Sequence, residues 1–180
     1  CQAWDNGYYP SYRHMAREDL DLVLHLGDYV YEGGIPADGG YRQVPTPEIL
    51  RDAPRDVERW RMQYALYNSD PDLQAAHGRF PWLVVWDDHE VENDYANTLS
   101  QYEGDISALR AAAYQAWYEN LPLRVGPPVD GEVAVHRDST FGDLARLFVI
   151  ETRQHADPAP CRDTSTLDAG PGCEEQQDPE

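Results

Sequence analysis

Two apolar runs that each break off at acidic residues constrain this chain more than any other feature. Residues 82–86 read Trp-Leu-Val-Val-Trp and turn abruptly into Asp87-Asp88-His89-Glu90. Residues 22–26 read Leu-Val-Leu-His-Leu and run into Gly27-Asp28-Tyr29-Val30-Tyr31-Glu32. A short apolar run bounded by polar residues suits a strand buried in an α/β sheet. In open α/β sheets, ligands bind at the carboxyl ends of strands. One such cluster alone reads equally well as a helix cap or a charged patch, but a second of the same design argues for a shared site. Hard cations take oxygen ligands and borderline ones accept imidazole, so Asp28, Asp87, Asp88 and His89 are candidate metal ligands.

The segments around the two strands, expected at 21–26 and 82–86, fill in an alternating pattern. Residues 12–19 are predicted helical, and 33–48, rich in Gly, Pro and Asp, a long loop. Over 56–68, Val57, Trp60, Tyr64 and Tyr67 recur at helical spacing. Asp70-Pro71 opens a second helix that ends near Gly78, with Asp70 as its N-cap. Asp105 is expected to cap a further helix with Ile106, Leu109, Ala113 and Trp117 on one face, stopped by Leu121-Pro122. Residues 133–135 and 145–150 are predicted strands of a hairpin around 140–143, and the tail after Arg153 reads as irregular. Strands alternating with helices indicate an α/β layer fold. There is no internal repeat and no clean domain boundary.

The chain has 180 residues, enough for one domain with a real core. Its net charge of −19, from 33 acids against 14 bases, argues against nonspecific nucleic-acid binding and against docking on anionic lipid. An anionic substrate stays compatible, because a bound cation dominates the local field of a metal site. No apolar run approaches the roughly 20 residues a membrane span needs. There is no signal peptide and no initiating Met, so the chain is expected to be an excised piece of a longer protein. Cys161 and Cys173 enclose a turn-rich polar segment that reads either as a disulfide-closed loop or as two free thiols, which leaves Cys1 as the odd cysteine.

The two strand ends offer different donors. Asp28 can bridge two metals through its two oxygens. Tyr31 follows within reach if the chain turns after Gly27, and a phenolate favours a trivalent ion such as Fe3+. Asp87 and Asp88 face one site together only once the strand has turned. His89 can ligate, or donate a proton to a leaving group, since an imidazole titrating near neutrality suits general-acid work.

The block Gly27-Asp28-Tyr29-Val30-Tyr31 resembles the Gly-Asp-x-x-Tyr signature of purple acid phosphatases and their calcineurin-like relatives. Residues 86–95, WDDHEVENDY, resemble the PhoD-type alkaline phosphatase/phosphodiesterase version of the Gly-Asn-His-Glu block. Cys1-Gln2, followed by an aromatic and a Gly, is similar to the PhoD segment at the end of the first core strand, where a Cys replaces the usual Asp ligand. Residues 148–154 resemble that family's Leu-Asp-Thr-Arg strand, with Glu151 where an Asp is usual. The resemblance implies the N-terminal part of a calcineurin-like metallophosphoesterase sandwich, with residues 1–180 a fragment of one catalytic domain and 155–180 irregular. It implies an exported enzyme that hydrolyses phosphate esters at an Fe3+/Ca2+ centre. Cys1, Asp28 and Tyr31 would hold Fe3+, Asp28 would bridge, Asp88 would touch the second metal and the phosphate, and His89 would be catalytic. Asp87 and Asn93 are weaker candidates for calcium. Arg153 reads as a strand-end ion pair before it reads as a phosphate ligand.

The histidine blocks that close related dimetal sites near the C-terminus are absent from this sequence, so the fragment alone is expected to expose a sheet edge and to be inactive. Two rival readings use the same acids. One is a phosphodiesterase of phospholipase D or nuclease type on the same metal core. The other is a non-catalytic, calcium-stabilised extracellular domain.

Overall fold

Two parallel strands joined through two helices organise the chain. The computed structural model describes residues 1–158. Strand β1 (Val23–His25) pairs in parallel with β2 (Trp82–Val84), in the register Val23↔Trp82, Leu24↔Leu83 and His25↔Val84. The connection carries α2 (Val57–Asn68) and α3 (Pro71–Arg79). A short α1 (Pro10–Met15) precedes β1, and α4 (Ser107–Asn120) follows β2. Strands β3 (Arg137–Phe141) and β4 (Ala145–Val149) form an antiparallel hairpin. The α/β class expected from the alternating pattern is the class observed.

The helix starts follow from their caps. Asp56 is extended and its carboxylate accepts from the Arg59 amide at 2.8 Å, closing the first turn of α2. Asp70 accepts from the amides of Asp72 and Leu73 at 2.9 and 3.1 Å, and Pro71 occupies the first helical position of α3, where no amide is needed. Helix α1 starts at Pro10 rather than residue 12, for the same proline reason, and ends at Met15 rather than 19. Asp105 lies two residues before α4. Its carboxylate accepts from the Ser107 amide at 3.2 Å, while Ile106 takes the capping position.

The core is aromatic. All five tryptophans are buried, and Trp60, Tyr64 and Tyr67 of α2 bury the face their spacing predicts. Helix α2 packs against α4, and α1 against α3. Trp86 stacks on Tyr114 at 4.2 Å and meets Trp117 edge-on at 4.8 Å, which fixes α4 over the end of β2. Residues 33–48 form the expected long loop, with a 3-10 turn at Gly40–Arg42 and a second, Glu48–Leu50, beginning at its end. Arg42 anchors that loop. It is buried over the Trp4 and Tyr9 rings and pairs with Asp70 at 2.6 Å.

The hairpin differs from expectation. Residues 133–135 are not a strand, and the partner of 145–149 is the polar segment Arg137–Phe141. Val133 and Val135 are buried as predicted strand residues would be. Instead of a neighbouring strand, the Gln154 side chain satisfies the Val133 backbone, accepting from its amide at 2.9 Å and donating to its carbonyl at 3.2 Å. Beyond β4, residues 150–158 carry no helix or strand. Cys161 and Cys173, and the question of their pairing, lie outside the described residues. Among the described residues no helix is long and apolar enough to cross a membrane.

Candidate metal centre

Parallel pairing sends both strand ends to one edge of the sheet. His25 and Val84 are register partners, so the segments 26–32 and 85–90 leave the sheet side by side. They meet at Gly27, whose φ is +117°. A Cβ there would lie 2.3 Å from the Asp87 amide nitrogen, so only glycine lets the two tips approach this closely. The next residue, Asp28, is held in the left-handed region at φ 55°, a conformation a non-glycine residue adopts at a cost and one that clusters at functional sites.

The Asp28 carboxylate is a point of convergence. Its Oδ2 receives the Cys1 thiol at 3.3 Å and the Tyr31 hydroxyl at 3.1 Å, while the Cys1 amino group donates to the Asp28 carbonyl at 3.2 Å. Asp28, Asp88 and His89 offer ligand atoms that all lie within 4.8 Å of one another. Asp28 Oδ1 is buried and has no hydrogen-bond partner. An unpartnered buried carboxylate oxygen beside a second carboxylate, an imidazole, a thiol and a phenol fits a cation better than it fits the protein alone. Burial, with the neighbouring Asp28 charge, raises the Tyr31 phenol well above its ordinary value, so a bound cation is what would favour its phenolate.

His89 is oriented by a residue the sequence did not single out. Its Nδ1 lies 2.8 Å from Glu32 Oε2, and Glu32 Oε1 accepts from the Asn93 amide at 2.8 Å. The ring stacks on Tyr31 at 4.2 Å. Burial lowers the basicity of His89, but Glu32, with Asp88 and Asp28, outweighs that and holds the imidazole above its usual value. The carboxylate on Nδ1 fixes the proton there and leaves the other ring nitrogen for a substrate or a metal.

Asp88 is buried, and its two oxygens accept from the amides of His89 at 3.1 Å and Asp94 at 2.7 Å. Asp87 is more open and takes Arg153 Nε at 2.8 Å. The same guanidinium lies 3.7 Å from Asp88 and 3.8 Å from Asp94. Arg153 therefore sits among three carboxylates. The Asn93 side chain donates to Asp94 at 3.2 Å, and its main chain serves Glu32. Glu90, which closes the Asp-Asp-His-Glu block and has no role assigned from sequence, is fully buried between the two tips. Its Oε1 accepts from the Tyr29 amide at 2.6 Å and its Oε2 from the Asp87 amide at 2.8 Å. Burial pushes this carboxyl up to about 7, against the pull of those amides. Position within the Asp-Asp-His-Glu block was the one signal that could have drawn Glu90 in. Glu32 carried none beyond its closeness to Tyr31.

A thiol, a phenol, two carboxylates and an imidazole gathered where parallel strands end make a candidate metal centre in an α/β protein. A sequence profile of the PhoD-like phosphatases matches residues 1–180, and the chain belongs to that family. It is 45% identical over 165 residues to alkaline phosphatase D of Bacillus subtilis (strain 168), an alignment that covers 87% of this chain and 27% of that protein. A solved structure described as the structure of PhoD superposes with a TM-score of 0.77 at 43% identity, covering 87% of this chain and 31% of that one. The chain therefore spans about a third or less of the length of the relatives it matches.

Proposed function

We propose that this chain carries part of the catalytic centre of a phosphate-ester hydrolase acting on monoesters, diesters or both. The observation that carries the reading is the Asp28 carboxylate, with Cys1 and Tyr31 on one oxygen, Asp88 and His89 beside it, and a second oxygen buried without a partner. By resemblance to the PhoD family, Cys1, Asp28 and Tyr31 would hold Fe3+, and Asp88 with Asp28 would hold Ca2+, with Asp87 and Asn93 as outer candidates for calcium. Such ions supply Lewis-acid activation of the ester and of a water.

The chain's own residues do the rest. Glu32 keeps the His89 proton on Nδ1 and leaves the other ring nitrogen to act. In its protonated form that nitrogen can hand a proton to the departing alkoxide, and the raised basicity of the ring keeps the acid form populated toward neutral pH. Arg153 holds Asp87 and steadies Asp88 and Asp94 around it, a structural service that leaves the phosphate to the cations. In this reading the two small sheets belong to one calcineurin-like sandwich, residues 1–180 form a fragment of a single catalytic domain, and the enzyme is exported.

The test uses the full-length enzyme. Metal analysis should return stoichiometric iron and calcium, with a visible tyrosinate-to-iron band that Tyr31→Phe removes. His89→Ala should slow hydrolysis of esters with poor leaving groups by about 100-fold or more, and of activated esters much less. Absence of bound metal, or unchanged hydrolysis of both ester types in the His89 variant, would sink the proposal. Mono- and diester substrates assayed side by side separate a phosphatase from a phosphodiesterase.

A further inference from the structure

We infer that Glu90 is a positioning residue: its carboxylate is the rung that sets the spacing of the two ligand-bearing strand tips, and through them couples the two metal positions. The inference rests on the functional reading above and deepens it. The last main-chain bond between β1 and β2 runs from the Val85 amide to the His25 carbonyl at 3.1 Å. Beyond it, among the described residues, no backbone hydrogen bond joins segment 26–32 to segment 86–90. Glu90 takes over at that point. One oxygen takes the amide of Tyr29, the peptide neighbour of Asp28, and the other takes the amide of Asp87, the peptide neighbour of Asp88.

The chemistry argues against a generic structural acid. Glu90 is fully buried, and no arginine pairs with it among the described residues. A buried carboxylate without a cation is costly, and charge-assisted bonds from main-chain amides are what offset that cost here. An apolar side chain in its place would leave the Tyr29 and Asp87 amides buried and unpaired. Both amides belong to the segments that carry the candidate ligands, so a change in one tip's position reaches the other through two short bonds to one rigid group. Loading one metal position should therefore improve the fit of the other.

The decisive variant is Glu90→Gln in the full-length enzyme. Glutamine keeps the volume, but its NH2 must face one of the two amides, so one arm of the bridge is lost. Outer-shell changes of this kind typically weaken metal binding or activity by about 10- to 100-fold. The expected result is a loss of that size in calcium affinity, a shifted tyrosinate-to-iron band, and loss of the effect of iron loading on calcium binding. Asp70→Asn, which weakens a cap and an ion pair away from the site, should lower thermal stability and leave metal affinity unchanged. A Glu90→Gln enzyme that binds iron and calcium like wild type overturns the inference. Amide hydrogen exchange on metal-free protein gives an independent reading: the amide of Tyr29 or Asp87 that faces the glutamine NH2 should lose protection in Glu90→Gln, and both should keep it in Asp70→Asn. Unaltered exchange at both amides refutes the bridge even if no metal binds, whereas a full-length wild type that takes up no metal while exchange still responds to Glu90→Gln refutes the hydrolase reading alone.

Discussion

At Gly27 the geometry of the site depends on a missing side chain. Gly27→Ala places a methyl against the Asp87 backbone and asks an L-residue to hold φ +117°. Both penalties fall on main chain that cannot swing aside, so a destabilisation of about 3 kcal/mol or more is expected, read from the urea midpoint. The same stretch shows what a sequence does and does not disclose about a site. Asp28, Tyr31, Asp88 and His89 stood out because an apolar run ending in acids marks a strand end. The meeting of Cys1 with Asp28 was legible only through family resemblance, since nothing local ties residue 1 to residue 28. Glu32 and Glu90 stayed hidden among 33 acids. Whether an acid turns inward is decided by partners distant in sequence, here His89 and the amides of Tyr29 and Asp87.

At the scale of elements, the two aspartate caps separate a local role from a tertiary one. Asp56 serves α2 alone, and Asp56→Ala should cost about 1 kcal/mol. Asp70 caps α3 and also neutralises Arg42, which is buried against Trp4 and Tyr9. Asp70→Ala strands that guanidinium, so a loss of roughly 3–5 kcal/mol is expected. Paired denaturation curves of the two variants measure the difference, and equal losses would mean the Arg42 contact contributes nothing. Helices α2 and α3 were readable because cap, proline and spacing agree. In the hairpin only the first strand departs from expectation, because apolar alternation at 133–135 mimics a strand. The real strand β3 reads Arg-Asp-Ser-Thr-Phe and is mostly exposed, so it carried no apolar signal. The Gln154 side chain that stands in for a strand beside Val133 is invisible to any local pattern.

For the whole molecule, a buried aromatic cluster makes stability depend on pH. His77 stacks on Trp82 at 4.0 Å and meets the Tyr29 hydroxyl at 2.9 Å, and His25 packs against the same two rings. Burial, helped by the amino terminus and by His77, pushes His25 down to about 4. Below the ordinary imidazole value of about 6.5, the unfolded chain binds a proton that the native state refuses. The contribution is therefore complete above that value and is lost as pH falls toward about 4, by on the order of 3 kcal/mol. His77, lowered by burial, adds in the same direction. Urea midpoints of wild type and His25→Phe at pH 7.5 and pH 5 check the sign. The gap between them should narrow in the variant's favour at the lower pH, and a constant gap would show that His25 does not titrate in this window.

The three-residue parallel ladder has a consequence for how the molecule tolerates error. Were β2 to slip by one position along β1, Trp86 would rotate out of its slot against Tyr114 and Trp117 while Asp88 travelled about 3.3 Å past Asp28. Misalignment of the scaffold and miscalibration of the chemistry are thus one and the same fault. The aromatic wedge that holds the strands in step also acts as the gauge block for the distance between the carboxylates.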